Sequence, residues 1–169
     1  MPPKRYILKI CLLGDGAVGK TSLVRRYVFD VFNDKYLTSF GTKVSKKSVE
    51  IGDAKVDLMI WDILGQKTYE TLHQAYYRGA AGALVVCDLT RPETMESLVG
   101  WLVSFRQVAG GVPVLLLANK ADLDRKIDAE RLEEFGRSQG CDLLETSAKT
   151  GQNVEEAFLN LGGRLLEAP

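Results

Sequence analysis

The nine residues "GDGAVGKTS", Gly14 to Ser22, restrict what this chain can fold into more than any other stretch. An apolar run, Tyr6–Leu13, leads into them, and a helical pattern starts at Lys20. The chain must therefore pass from strand to tight loop to helix. Glycines permit a wrap that points successive backbone N–H groups inward, and the new helix adds its positive end. The spacing GxxxxGK[ST] lets Lys20 reach β- and γ-phosphates and places the Thr21 hydroxyl for Mg²⁺. Gly14, Asp15, Gly16, Ala17, Gly19, Lys20, Thr21 and Ser22 are thus candidate nucleotide-binding residues. Val18 belongs to the same loop but reads better as core. An ordinary glycine-rich turn would need neither the lysine nor the hydroxyl in register.

Further apolar runs bounded by turn signals recur at Ala83–Asp88, Val112–Asn119 and Cys141–Thr146. Strands covered on both faces tend to be continuously apolar in this way. Helical patterns separate them: one after Pro92 through Leu98, Leu102 and Phe105, and one from Ala129 to Ser138. Asp128 is placed to cap the latter. The last helix uses Val154, Ala157, Phe158, Leu161 and Leu165. Val44–Ile51 and Lys55–Ile60, joined through Gly52-Asp53, predict a two-stranded ribbon. Strands alternating with helices predict a mostly parallel sheet with helices on both faces, and such sheets bind ligands at the carboxyl ends of their strands.

A chain of 169 residues suits one domain. Lysine plus arginine equals aspartate plus glutamate, 22 against 22, so no basic field argues for nucleic acid. Lys43, Lys46 and Lys47 read as a solvated edge strand guarded by charge, or as a partner surface. Three cysteines, Cys11, Cys87 and Cys141, lack metal-ligand spacing and suit reduced, buried thiols. His73 is the one histidine, so a His-based zinc site is not expected. No run approaches the length of an apolar transmembrane helix, and the N-terminal segment reads as a first strand.

A carboxylate should complete the metal site. Asp62, after "KVDLMIW", is positioned to hold Mg²⁺ through a water. Gly65 can bring a backbone N–H to the γ-phosphate, and the Gln66 amide can orient a water. "LLLANKADL" supplies Asn119, Lys120 and Asp122 after a strand. A carboxylate pairs with two donors on the edge of guanine, which adenine lacks, so Asp122 is the candidate specificity residue. Asn119 can tie neighbouring loops together, and the Lys120 stem can cover the ring. "ETSAKTG" adds Ser147, Ala148 and Lys149, with the Ala148 N–H a candidate donor to the base oxygen.

"GDGAVGKTS", "WDILGQ", "NKAD" and "ETSAK", in this order, resemble the Ras superfamily of small GTPases. "YYRGAAGALVVCDLT" and "ETSAKTGQNVEEAF" look most like its Rab branch. The resemblance implies a P-loop NTPase fold over residues 1–169: an α/β, mostly parallel six-stranded sheet with one antiparallel edge strand and helices on both faces. It implies GTP/GDP and Mg²⁺ as ligands, Gln66 and Lys20 as the catalytic pair, and Phe32 as the aromatic against the guanine. Gly16 takes the place where small size matters beside the γ-phosphate.

Two positions depart from the family pattern. The first-switch threonine that joins Mg²⁺ is replaced by Ser39 when Gly41 is kept in line, with Thr42 as the alternative register and Thr38 flanking it. The usual small pair after the metal aspartate is Ile63-Leu64 here, as the Arf-like branch and bacterial polarity GTPases also have bulky aliphatics. That bulk must lie by the phosphates or turn into an apolar pocket. The expected function is a GTP-dependent switch with slow, Mg²⁺-dependent hydrolysis, working through protein effectors and regulators at its two switch segments. A guanine-nucleotide-binding module that does not hydrolyse, regulated by occupancy, is the alternative. An ATP-using P-loop phosphotransferase is weakened by "NKAD". No arginine is assigned to transition-state charge, and Arg25 and Arg26 are expected on the outer side of the first helix. No cysteine follows Cys141 and Met1-Pro2 is no myristoylation start, so no membrane anchor is expected in this chain, and the expected setting is cytoplasmic.

Overall fold

The computed structural model describes residues 2–32, 43–63 and 70–167. Ser39, Thr38, Gly41, Thr42, Leu64, Gly65 and Gln66 lie outside the described residues. One sheet collects β1 (Lys4–Leu13), β2 (Lys43–Ile51), β3 (Ala54–Asp62), β4 (Gly82–Asp88), β5 (Val114–Asn119) and β6 (Asp142–Glu145). Its spatial order is β2-β3-β1-β4-β5-β6. β2 pairs antiparallel with β3, and every other neighbouring pair is parallel. This is the mostly parallel sheet that the alternation of elements predicted, with the antiparallel edge that the ribbon at Gly52-Asp53 and the family resemblance implied.

Side-chain alternation divides the interior into two layers. Ile10, Leu12, Leu84 and Val86 face α1 (Lys20–Phe29) and α6 (Val154–Glu167), which contribute Leu23, Val24, Phe158 and Leu161. Tyr27 of α1 stacks on Phe158 of α6 with centroids 4.1 Å apart. Cys11, Leu13, Ala83, Val85 and Cys87 face the other way. There they meet α2 (Glu70–Tyr77), α3 (Pro92–Glu96), α4 (Leu98–Ala109) and α5 (Ala129–Gln139). Period-2 strands supply both faces, so β4 and β5 are apolar up to the polar residues that end them, Asp88 and Asn119, and they are buried throughout. At the edge, Lys43 and Lys46 of β2 are exposed, while Lys47 turns inward and donates to Tyr27 O at 3.0 Å.

Three local features differ from the sequence pattern. The helix expected after Pro92 is two helices meeting at Ser97. The Ser97 hydroxyl donates to Glu93 O at 3.0 Å, competing for the carbonyl that the ladder uses there. Asp128 does precede α5 with extended backbone, but its side chain makes no capping hydrogen bond. α2 had no clear sequence signal, because "ETLHQAYY" mixes polar and aromatic residues. His73 and Tyr77 are buried there, with Tyr77 edge-on to Phe105 at 5.3 Å, so packing selects that helix.

The parallel register aligns the carboxyl ends. Leu12 pairs with Asp62 and Asp88 with Asn119, so the polar residues that terminate these strands share one rim. The cysteines are free, with Cys11 and Cys87 buried and Cys141 half-buried. Burial pushes the Cys11 and Cys87 thiols up to about 12.

Candidate functional site

β1 delivers the chain to the rim, and two glycines shape the loop that leads on to α1. Gly14 has φ +141°, and a Cβ there would sit 2.3 Å from Val86 O of β4. Gly19 has φ +103°, and its Cβ would sit 2.3 Å from Asn119 Nδ2 of β5. The loop therefore passes so close to two strands that a side chain is excluded at either place. A Cβ on Gly16 would meet no protein atom within 4 Å. α1 then starts at Lys20 with no side-chain cap, leaving its first N–H groups aimed along the loop.

Lys20 is only 6% exposed. Its ammonium donates to Gly14 O at 2.8 Å and Asp15 O at 2.9 Å, and so lies across the loop it springs from. Burial pulls its pKa down to about 8, against the opposing attraction of Asp62 and Asp15. Thr21 Oγ1 donates to Asp62 Oδ2 at 2.5 Å. Burial raises the Asp62 carboxyl above its usual range, with the Thr21 hydrogen bond and Lys20 opposing. A hydroxyl and a carboxylate oxygen thus converge one residue from a buried cation. That donor set fits Mg²⁺, which takes one or two protein oxygens and completes its shell with phosphate oxygens and water. Among the described residues no group of three carboxylates, histidines or cysteines could hold a metal by itself.

The base-recognition candidates form the adjoining part of the rim. Asn119 Nδ2 donates to Val18 O at 3.0 Å, and its Oδ1 accepts from Thr146 Oγ1 at 3.0 Å. One buried amide therefore joins the glycine loop, the end of β5 and the segment after β6. Ser147 Oγ donates to Asp122 Oδ1 at 2.7 Å and accepts from Thr150 N at 3.1 Å. Asp122 is exposed, with its carboxylate held by the second loop. Ala148 is buried, its carbonyl accepting from Arg26 Nε at 2.7 Å, and Arg26 also donates to Lys149 O. Arg26 is thus no outward-facing residue: it ties α1 to the loop after β6. Val18 is fully buried in the α1–α6 core, and Phe32 packs half-buried against that core. Ser22 is half-buried on the first turn of α1.

Lys120 does something the sequence did not indicate. Its ammonium donates to Ala17 O at 3.0 Å and pairs with Asp88 Oδ2 at 2.8 Å. Asp88 closes β4 and is fully buried. Burial alone would raise its carboxyl, but hydrogen bonds from Lys120 and Thr90 prevail and hold it below the usual range. Arg91 Nη2 donates to Gly16 O at 2.8 Å, and Trp101 Nε1 donates to Asp15 Oδ1 at 2.9 Å. Neither residue was a sequence candidate. Asp88 alone carried a signal, as a polar residue ending an apolar strand like Asp62 and Asn119.

Ile63 resolves half of the question raised by the bulky pair. Its N–H donates to Leu12 O at 3.2 Å, extending the β1–β3 pairing by one residue. Its side chain is 0% exposed in the layer that holds Leu13, Val85 and Tyr77. Of the two places open to it, Ile63 takes the apolar one.

The Ras family model matches residues 9–167 of this chain. The Ras-related protein Rab-13 of Bos taurus is 38% identical over 164 residues, covering 95% of this chain and 81% of that protein. The Ras-related protein Rab-8B of Homo sapiens is 37% identical over 159 residues, covering 92% of this chain and 77% of its own length. Rab-21 of Bos taurus is 36% identical over 167 residues, covering 97% and 75%.

Proposed function

We propose that this chain, which belongs to the Ras superfamily and its Rab branch, is a single G domain over residues 1–169 that hydrolyses GTP slowly with Mg²⁺ and switches partners with nucleotide state. Asn119 carries the reading: one buried amide binds the glycine loop to the segments bearing Asp122 and Ser147. A phosphate cradle and a guanine-reading carboxylate therefore belong to one rigid site. In this scheme backbone N–H groups of the Gly14–Ser22 loop, Ala17 and Val18 among them, receive the phosphates. Lys20, held over the loop by Gly14 O and Asp15 O, offers its remaining donor and its charge to phosphate oxygens. Thr21 and Asp62, with Ser39 from the first switch, would hold Mg²⁺, which would supply positive charge against the phosphates. Gly65 and Gln66 act in the second switch, the amide orienting the attacking water. Asp122 takes the two donors of guanine, Ala148 N–H its oxygen, and Phe32 and Lys120 its faces. Protein effectors and regulators would read the two switch segments. We assign the site of action to the cytoplasm.

Competition of GTP, ATP and XTP for the purified protein tests the reading. GTP should win strongly, and Asp122→Asn should weaken GTP while favouring XTP, whose added carbonyl replaces a donor. Equal affinity for ATP and GTP in the unmodified protein would sink it. The burial of Ile63 also favours a second reading, a module regulated by occupancy without hydrolysis, because it anchors the chain where the second switch begins. Single-turnover decay of bound GTP separates the two.

A further inference from the structure

We propose that Arg91 is a positioning residue for the phosphate loop: anchored on Asp88, it fixes the Gly16–Ala17 peptide so that the Ala17 N–H points at the nucleotide. The inference rests on the guanine-nucleotide reading of the same site.

Asp88 Oδ2 faces two cations, Lys120 Nζ at 2.8 Å and Arg91 Nε at 3.3 Å. Each cation continues to a backbone carbonyl of the glycine loop: Lys120 to Ala17 O at 3.0 Å, Arg91 to Gly16 O at 2.8 Å. Asp88 is itself immobilised, for Oδ1 accepts from Thr90 N at 2.8 Å and from Thr90 Oγ1 at 2.6 Å. Its backbone N–H donates to Thr94 Oγ1 at 2.8 Å. One buried carboxylate thus aligns two cations on two consecutive peptide units.

A trans peptide is planar, so its C=O and the next N–H point in opposite directions. Pulling Gly16 O outward to Arg91 drives the Ala17 N–H inward. Lys120 does the same for Val18 N–H through Ala17 O. Lys20 orients the two preceding peptides from the inner side, through Gly14 O and Asp15 O. Two of its three ammonium donors hold those carbonyls and the third is left for phosphate, while Arg91 and Lys120 hold the next two carbonyls with side chains that the phosphates do not need. The guanidinium sets Nε 3.3 Å from Asp88 Oδ2 as an ion pair and donates from Nη2 to Gly16 O, two contacts from two atoms of one rigid plane, which a lysine at position 91 would have to make from a single nitrogen.

The test measures release of fluorescent GDP and of a non-hydrolysable GTP analogue from the Mg²⁺-loaded full chain, alongside melting temperature. Arg91→Ala should speed release of both nucleotides roughly fivefold, the equivalent of one net hydrogen bond. The ratio of GTP to XTP affinity should not change, because the base loops are untouched. Arg91→Lys keeps the charge but loses the fork, so it too should release faster, and it preserves the test if the alanine variant folds poorly. Arg131→Ala removes the exposed pair with Glu96 of α3 and should release at the unmodified rate. Unmodified release in Arg91→Ala, or full restoration of that rate by Arg91→Lys, would overturn the proposal. Faster release in Arg131→Ala equal to that of Arg91→Ala would reduce Arg91 to general support of α3 and overturn it as well. Failure of the unmodified protein to bind either guanine nucleotide would instead remove the function on which it rests.

Discussion

Gly19 shows how little room one residue can have in this site. Its φ of +103° is costly for any residue with a Cβ, and that Cβ would collide with Asn119 Nδ2 at 2.3 Å. Asn119 cannot yield cheaply, since both ends of its amide are bonded inside the protein. Gly19→Ala should therefore cost about 1–3 kcal/mol from backbone strain alone and should abolish tight nucleotide binding. Gly16→Ala meets no protein atom, so its melting temperature without added nucleotide should stay near that of the unmodified protein. A similar loss of melting temperature in both variants, measured side by side, would refute the contrast. The sequence placed both glycines in the phosphate loop and singled out Gly16 for its small size; the distance to Asn119 is what makes Gly19 the one the fold itself requires.

At the scale of elements, Ile63 fixes how the chain leaves β3 for the proposed second switch. Its N–H continues the pairing with Leu12 and its side chain enters the core, so the chain leaves the sheet from a fixed point. From the sequence alone, the apolar Leu64 beside this anchor is expected to restrain the second switch and so to slow the step that Gln66 serves. Leu64→Ala should then raise the nucleotide-release rate, and it costs about 2–5 kcal/mol of stability if the leucine is fully buried. Gln66→Leu should slow hydrolysis while sparing GTP affinity, because it removes the amide and leaves the phosphate cradle intact. Unchanged release in the first variant rejects the restraint. Unchanged single-turnover hydrolysis in the second, alone and with an activating partner, removes Gln66 from catalysis. Other elements depended on partners that no local pattern names. α2 forms because Tyr77 and His73 find aromatic neighbours, and the break at Ser97 arises from one hydroxyl bonding back to Glu93.

The whole molecule has a pH response set by its two buried layers. Cys11 and Cys87 on one side of the sheet and Tyr27 on the other are each raised by burial to about 12. A group raised above its unfolded value stabilises fully below that unfolded value and loses the contribution as pH climbs to the folded one. The thiols begin from 9.0 and the phenol from 10.0, so the nucleotide-saturated protein should lose melting temperature progressively between pH 9 and 12. Lys20, lowered to about 8, opposes this in the nucleotide-free protein, because its deprotonation relieves a buried charge as pH rises from 8 toward 10.5. Thiol labelling offers a separate check at pH 8: Cys141 should react in the folded state, and Cys11 and Cys87 only after unfolding. Rapid labelling of all three in the folded protein would contradict the buried layers.

Local order carries much of this protein: the strand, glycine loop and helix around Lys20, the apolar runs of β4 and β5, and the charged edge of β2 arise from side-chain size, backbone freedom and period. Those properties act between residues a few places apart, so the chain displays them directly. The mostly parallel direction of the sheet was legible for the same reason, since alternating strands and helices leave few arrangements, whereas the spatial order of the strands came from the tertiary structure. The tertiary structure alone decided that Lys120 reaches back to Ala17, that Arg26 holds Ala148, that Ile63 enters the core, and that Arg91 meets Gly16 across 75 residues. Each is a polar or apolar choice settled by what lies opposite at the shared rim. A lysine after a strand can cover a ring or grip a carbonyl; its own neighbours in sequence are the same in either case. Only the parallel register, which sets Asp88 beside Asn119, supplies the buried carboxylate that draws both cations to the loop.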